Sequence, residues 1–205
     1  MSDEILEYKS IECASHELLY KDKGSKFFGY ACPIQNVSDV QKHITELKEK
    51  HRTARHFCYA YRLGARGEQY KISDDGEPNN SAGMPILGQL QAKALTNTLV
   101  IVVRYFGGTK LGIGGLIAAY KKTAKQSLDT TKIITHYIKK NIKIKFSYDE
   151  LSYVMRIVKK FNLKITEQCQ EMECWLKISI KKRDLKLVKT AFEGHYKIEL
   201  EILND

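Results

Sequence analysis

The run TLVIVVRYF, Thr98 to Phe106, is an almost unbroken series of β-branched and aromatic residues. It has no polar side to offer water, so it suits a strand buried on both faces rather than one face of an open sheet. The run feeds directly into the glycine-rich segment GGTKLGIGG, and from about Gly114 the sequence LIAAYKKTAKQSL reads as a helix.

Other segments before residue 130 fit around that strand. His56 to Leu63, HFCYAYRL, alternates so that His56, Cys58, Ala60 and Arg62 share a polar, small-residue face while Phe57, Tyr59, Tyr61 and Leu63 share the other. Tyr8–His16 and Lys26–Ile34, separated by the turn signal KDKG, are expected to form a hairpin. A helix with Val40, Ile44 and Leu47 on one face is expected to start at a capping box of Ser38 and Gln41 and to end near His51. A short strand through Tyr70 and Ile72 leads into ISDDGEPNNSAGMPIL, after which PILGQLQAKAL reads as a helix with Pro85 in its first turn.

From Ile133 the pattern changes to strands with lysine on one side. NIKIKF alternates, Ser147 and Glu150 suggest a second capping box, and Leu151, Val154, Val158 and Phe161 share a helix face. LKITEQC and CWLKISI read as a hairpin, Leu185, Val188 and Phe192 mark a helix that stops at Gly194, and YKIELEI alternates again. This βαββαβ order is the ferredoxin-like arrangement. The chain's 205 residues suffice for two small domains, expected at 1–132 and 133–205.

The 34 basic residues outnumber the 24 acidic ones, a formal net charge of +10 that favours a polyanionic partner or simply solubility. No window approaches the roughly 18 apolar residues of a membrane span. The polar, acidic MSDEILEYKS does not read as a signal peptide, so a cytoplasmic protein without membrane contact is expected. Cys13, Cys32, Cys58, Cys169 and Cys174 show no metal spacing and are expected to be buried free thiols. No metal or cofactor is expected.

Two surfaces carry candidate chemistry. On the open face of the second domain, alternation leaves Lys143, Lys145, Trp175, Lys177 and Lys181 pointing away from the helices, with Lys164 and Lys197 beside them. A basic sheet face with an aromatic residue can stack bases and neutralise phosphate, although the aromatic motif of RNA-recognition modules is absent and a solvated face also carries lysine. In the first domain, Asp74, Asp75 and Glu77 could serve a cation or a general base, while D-D-G-E-P is equally strong turn chemistry. Gly107, Gly108, Lys110 and Gly112 lie in a strand–loop–helix geometry that attracts phosphate, but the spacing fits neither G-x-x-x-x-G-K-[ST] nor G-x-G-x-x-G. His56, Arg62 and Arg104 complete this candidate polar or anion site; no catalytic residue is assigned.

HFCYAYRLG, DDGEPNNSAGMPIL and VVRYFGGTKLGIGGLIAAY, in this order and spacing, resemble the Impact family of YigZ-like proteins, as does KGSKFFGYACPI near the start. The resemblance is strong over Lys23 to Tyr120. It implies an α+β chain whose first domain has the ribosomal S5 domain 2-like fold and whose second is ferredoxin-like, similar to elongation-factor carboxyl-terminal domains. It further implies a non-enzymatic regulator of translation that binds RNA, the ribosome or a translation factor. The alternative is an enzyme acting on a phosphorylated or nucleotide ligand. Asn79, Asn80 and Ser81 depart from a frequent Ser-Gly-Thr, Met84 replaces a frequent basic residue and Ala118 a frequent Arg, leaving Arg104, Lys110 and the loop backbone as anion contacts.

Overall fold

A computed structural model describes residues 4–171 and 174–203. The chain divides into two compact units, one spanning Glu7–His136 and the other running from Tyr137 onward together with the segment before Glu7. Both are mixed α/β with antiparallel sheets. Among the described residues no helix is long and apolar enough to cross a membrane.

In the first unit, β1 (Glu7–Ile11) stands apart from the main sheet, followed by β2 (Leu18–Asp22), β3 (Ser25–Pro33), α1 (Val37–Lys50), β4 (His56–Leu63), β5 (Gln69–Ser73), α2 (Gly83–Ala92), β6 (Thr98–Tyr105) and α3 (Gly112–Asp129). The five strands of the sheet run in the order β2-β3-β6-β4-β5. The apolar run therefore occupies the centre. Val100 and Val102 face the core under α2 and α3, while Leu99, Ile101 and Val103 face the core that includes Val40, Ile44 and Leu47 of α1. Cys58 and Ala60 are the small residues over which α2 packs on β4.

Tyr8–His16 is not the partner of the third strand: β2 forms the hairpin with β3, and β1 pairs instead with β7 (Ile133–Tyr137). The pattern change at Ile133 thus marks a strand that pairs with the start of the first unit. Helix α1 is capped by Asn36 with Asp39, not by Ser38 with Gln41, because Asn36 Oδ1 reaches the Asp39 N–H at 3.0 Å and Asp39 returns to the Asn36 N–H at 3.2 Å. Helix α2 stops at Ala92, since Ala94 takes positive φ and turns the chain.

The second unit contains β8 (Lys139–Phe146), α4 (Leu151–Lys160), β9 (Lys164–Gln170), β10 (Cys174–Lys181), α5 (Leu185–Phe192) and β11 (Ile198–Leu203), with strand order β11-β8-β10-β9. Ile142, Ile144, Leu176, Ile178, Val154 and Val188 are fully buried in its core. Ser147 and Glu150 make no capping box. A single 3-10 turn, Tyr148–Glu150, precedes α4, and Ser147 Oγ is buried with no hydrogen-bond partner. The tip of the β9–β10 hairpin lies outside the described residues. All five cysteines are free, but Cys13 is exposed and Cys169 half-buried. Cys169 pairs across from Trp175 while the neighbouring Cys174 is in the core, so the two cysteines sit on opposite sheet faces.

The α1 side of the first unit holds a polar chain that the sequence pattern did not suggest. Tyr30 donates to Glu17, His51 Nε2 lies 2.6 Å from the Tyr30 hydroxyl, and His51 Nδ1 lies 3.0 Å from the Tyr105 hydroxyl. Since the Tyr30 proton goes to Glu17, Nε2 donates to Tyr30 and Nδ1 accepts from Tyr105. Burial holds His51 below its ordinary 6.5, although Glu17 opposes this. The Lys50 and Tyr30 hydrogen bonds hold Glu17 below its ordinary 4.5. Both depressions make the unfolded chain bind more protons, so stability is present above these ordinary values and is lost as pH falls. In urea titrations, stability is expected to begin falling as pH drops through 6.5, with a further loss below 4.5. His51→Gln should flatten the upper part of this profile; an unchanged slope there would exclude His51 as its source.

Candidate functional site

The two segments flanking α2 meet at one end of the first unit's sheet. Asp74 follows directly on β5 and faces the start of α2: Oδ1 accepts from the Ala82 and Gly83 N–H groups at 2.9 and 2.8 Å, and Oδ2 from the Asn80 N–H at 2.8 Å. Helix α2 has no side-chain cap at its own first position, so Asp74 satisfies the exposed N–H end from eight residues upstream. Asp75, at φ 40, accepts from the Phe57 N–H at 2.6 Å. Its carbonyl takes His56 Nδ1 at 2.9 Å, which places a proton on that ring nitrogen.

Glu77 and Arg104 form the buried centre. Arg104, at the end of β6 and opposite His56, sends Nη1 to both Glu77 oxygens at 2.7 and 2.9 Å. The two side chains are only 6% and 4% exposed, which makes this a desolvated ion pair rather than a surface one. Tyr120 of α3 donates to Glu77 at 2.8 Å, and the Cys58 thiol lies 3.3 Å from that hydroxyl and 2.9 Å from the Asp74 carbonyl. Burial pushes both the Tyr120 hydroxyl and the Cys58 thiol far up, keeping them neutral. The Arg104 guanidinium lies 5.5 Å from the Phe27 ring and 5.6 Å from the Phe106 ring, while Nη2 is 3.4 Å from Ser25 Oγ.

Immediately beyond Arg104 the loop backbone presses on the β2–β3 turn. A Cβ on Gly107 would come within 1.9 Å of the Gly24 carbonyl carbon and 2.2 Å of the Ser25 nitrogen, so only glycine fits. Gly108, Lys110 and Gly112 follow on exposed backbone, and α3 starts at Gly112 rather than Gly114.

Thus His56, Asp74, Asp75, Glu77, Arg104 and Gly107 come together. Arg62 does not. It lies at the other end of β4, about 20 Å along the strand at 3.3 Å per residue, where it donates to the Leu95 and Arg66 carbonyls at 3.0 Å each. The same alternation that puts Arg62 on the His56 face says nothing of which strand end holds the site. Asp74 and Asp75 are turned to backbone N–H groups and Glu77 to Arg104 and Tyr120. Among the described residues no group of three or more His, Cys, Asp or Glu is placed to hold a metal. Sequence reasoning missed Tyr120, Ser25 and Phe27, and the available signal was a Tyr at a core position of the α3 face.

The open face of the second unit differs from the basic surface expected. Across its strands one row reads Glu199, Lys145, Trp175, Cys169 and the next Glu201, Lys143, Lys177, Glu167. Lys145 lies 3.3 Å from Glu201 and 3.8 Å from Glu199, and Lys177 lies 2.6 Å from Glu167. Lys143 sits 4.7 Å over Trp175. Lys181 lies over Tyr137, Lys197 is 3.8 Å from Asp149, and Lys164 is exposed at the start of β9. Alternation that points Lys143 and Lys145 outward points Glu199 and Glu201 outward too, and opposite charges across antiparallel strands attract. A concavity of about 840 Å³ remains around Trp175, Lys143, Lys145, Tyr196 and Lys197.

Residues 23–128 match the family model of the Impact N-terminal domain. The chain belongs to the Impact family. It is 37% identical over 123 residues to the IMPACT family member YvyE of Bacillus subtilis, a match covering 60% of this chain and 56% of that protein. An IMPACT family member of Haemophilus influenzae is 32% identical over 169 residues, 80% of this chain and 81% of the relative. A solved structure described as a hypothetical protein has the same fold, with a TM-score of 0.68 at 23% identity over 98% of this chain and 99% of its own. The matched Impact domain contains the whole of the Glu77–Arg104 cluster and ends before β8.

The cluster sets a stability test. Glu77→Ala or Arg104→Ala alone should cost about 3–5 kcal/mol by stranding a buried charge, whereas the double replacement Glu77→Leu with Arg104→Met should recover most of that loss. Single-variant losses below about 1 kcal/mol in urea unfolding would refute the pair's assigned weight.

Proposed function

We propose that this Impact family chain is a cytoplasmic, non-enzymatic regulator of translation that acts by binding RNA of the translation apparatus. The observation that carries this reading is that Asp74 and Asp75 are engaged by backbone N–H groups of α2 and β4, and Glu77 by Arg104 and Tyr120. These groups build a rigid scaffold, and what the chain offers to a partner is its surface, with a net charge of +10.

The fold supports the same direction. The antiparallel sheet with α2 and α3 on one face is read as ribosomal S5 domain 2-like. The β11-β8-β10-β9 order, with its first and third strands central, is read as ferredoxin-like. The domain boundary, expected near residue 132, is drawn at the end of β7, where the two compact units divide. Both domain types occur among proteins that contact RNA in translation, an argument by analogy of fold. On the second domain, Trp175 flanked by Lys143 and Lys177 provides a stacking ring beside cations.

Tagged protein from cells should sediment with ribosomal particles and crosslink to RNA, and the association should weaken with salt. Recovery of neither ribosomal components nor RNA would overturn the reading. Lys143→Glu with Lys177→Glu should weaken salt-sensitive binding by about tenfold if the Trp175 face takes part, each lost phosphate contact lowering the log–log salt slope by about 0.7–0.9.

A further inference from the structure

Residues 78–128 contain no aspartate or glutamate, yet include Lys93, Arg104, Lys110, Lys121, Lys122 and Lys125. Two of these cations are neutralised from outside the stretch, Arg104 by Glu77 and Lys93 by Asp129 at 2.7 Å. The other four stand exposed on α3 and the loop before it. On the helix, Ile113, Ile117, Lys121 and Lys125 follow one another at four-residue spacing, so they form one line about 18 Å long. All four are exposed, with Gly114 and Ala118 beside them. Lys122 lies 4.6 Å over the Tyr20 ring at the edge of this face.

Two further features lie at the start of α3 and in the loop before it. Phe106 is 56% exposed, and its ring is backed by the Arg104 guanidinium at 5.6 Å. Gly114 lies within the helix, its φ is not positive, and a Cβ there would meet nothing within 4 Å. Glycine in a helix costs roughly 1 kcal/mol relative to alanine, and no internal contact requires it here. Its missing side chain leaves the helix surface open at that point.

We propose that the exposed face running from Phe106 along α3 to Lys125 docks RNA, with its lysines against the phosphate backbone and Phe106 against a base. This rests on the RNA-binding reading above and names a surface for it. Charge complementarity requires an anionic partner and disfavours a second copy of this basic chain. An exposed aromatic ring at Phe106, in the loop that leads into the basic helix, favours a nucleic acid over an acidic protein, because stacking plus phosphate neutralisation is how single strands are bound.

The test is fluorescence anisotropy of the full chain with a labelled oligouridylate of about 20 nucleotides over a salt series. Lys121→Glu with Lys125→Glu should weaken binding at least about tenfold and reduce the salt slope by about 1.4, two single-strand phosphate contacts. Phe106→Leu should weaken binding about fivefold without changing the slope, since stacking carries no counterion release. Thermal melts establish that each variant is folded; should the Glu variant melt early, Lys121→Gln with Lys125→Gln replaces it and should lose the same slope. Parent-like affinity and slope in the folded lysine variants overturns the surface. If only Lys143→Glu with Lys177→Glu weakens binding, the α3 face is overturned while RNA binding stands. If the parent ignores RNA but binds polyglutamate through the same lysines, RNA is overturned as the occupant.

Discussion

The first unit is organised by the ion pair between Glu77 and Arg104. Each group would be very costly to bury alone, so the pair persists only because every neighbour contributes: Tyr120 from α3, Ser25 from the start of β3, and the Phe27 ring beneath the guanidinium. A loop, the central strand, a helix and an edge hairpin are thereby tied at one point. A hydrophobic cluster could hold them as strongly, but it would not fix which loop oxygen faces which strand. The pair therefore acts chiefly on where the glycine-rich loop leaves the sheet.

That placement has a geometric consequence. With Arg104 engaged inward and Gly107 pressed on Gly24, Phe106 and the chain from Gly108 through Lys110 lie exposed before the start of α3. The acidic segment plays the complementary part. Asp74 and Asp75 serve N–H groups of α2 and β4, so the residues that look most like chemistry in the sequence are the ones that hold the frame. In the second unit Lys145 of β8 and Lys177 of β10 meet glutamates across the strands, opposite charges that attract on the open sheet face.

Much of the fold was legible because it rests on periodicity. The run at Thr98–Tyr105, the alternation in β4, β8 and β10 and the apolar stripes of α1, α4 and α5 all follow from burying one face or two. Less was legible at the ends of elements. Asn36 and Ser38 are both good caps, and which one acts depends on where the chain leaves β3. The strand pattern of Tyr8–Ile11 does not name its partner, and β1 finds its partner more than a hundred residues away in β7. His51 is the helix terminus that the pattern predicts, and only the tertiary structure brings Tyr30 and Tyr105, from two different strands, around it.

The sequence by itself determined the layers, the family and the two segments that matter, since hydrophobic period and turn chemistry are local properties that need no partner. Only the tertiary structure decided what those segments do. Whether a carboxylate faces a cation, a backbone N–H or solvent depends on residues distant in the chain, and Arg104 meets Glu77 across 27 positions of sequence. Arg62 shares a strand face with His56 yet stands at the far end of it, because a period of two specifies a side of the sheet and not a position along it.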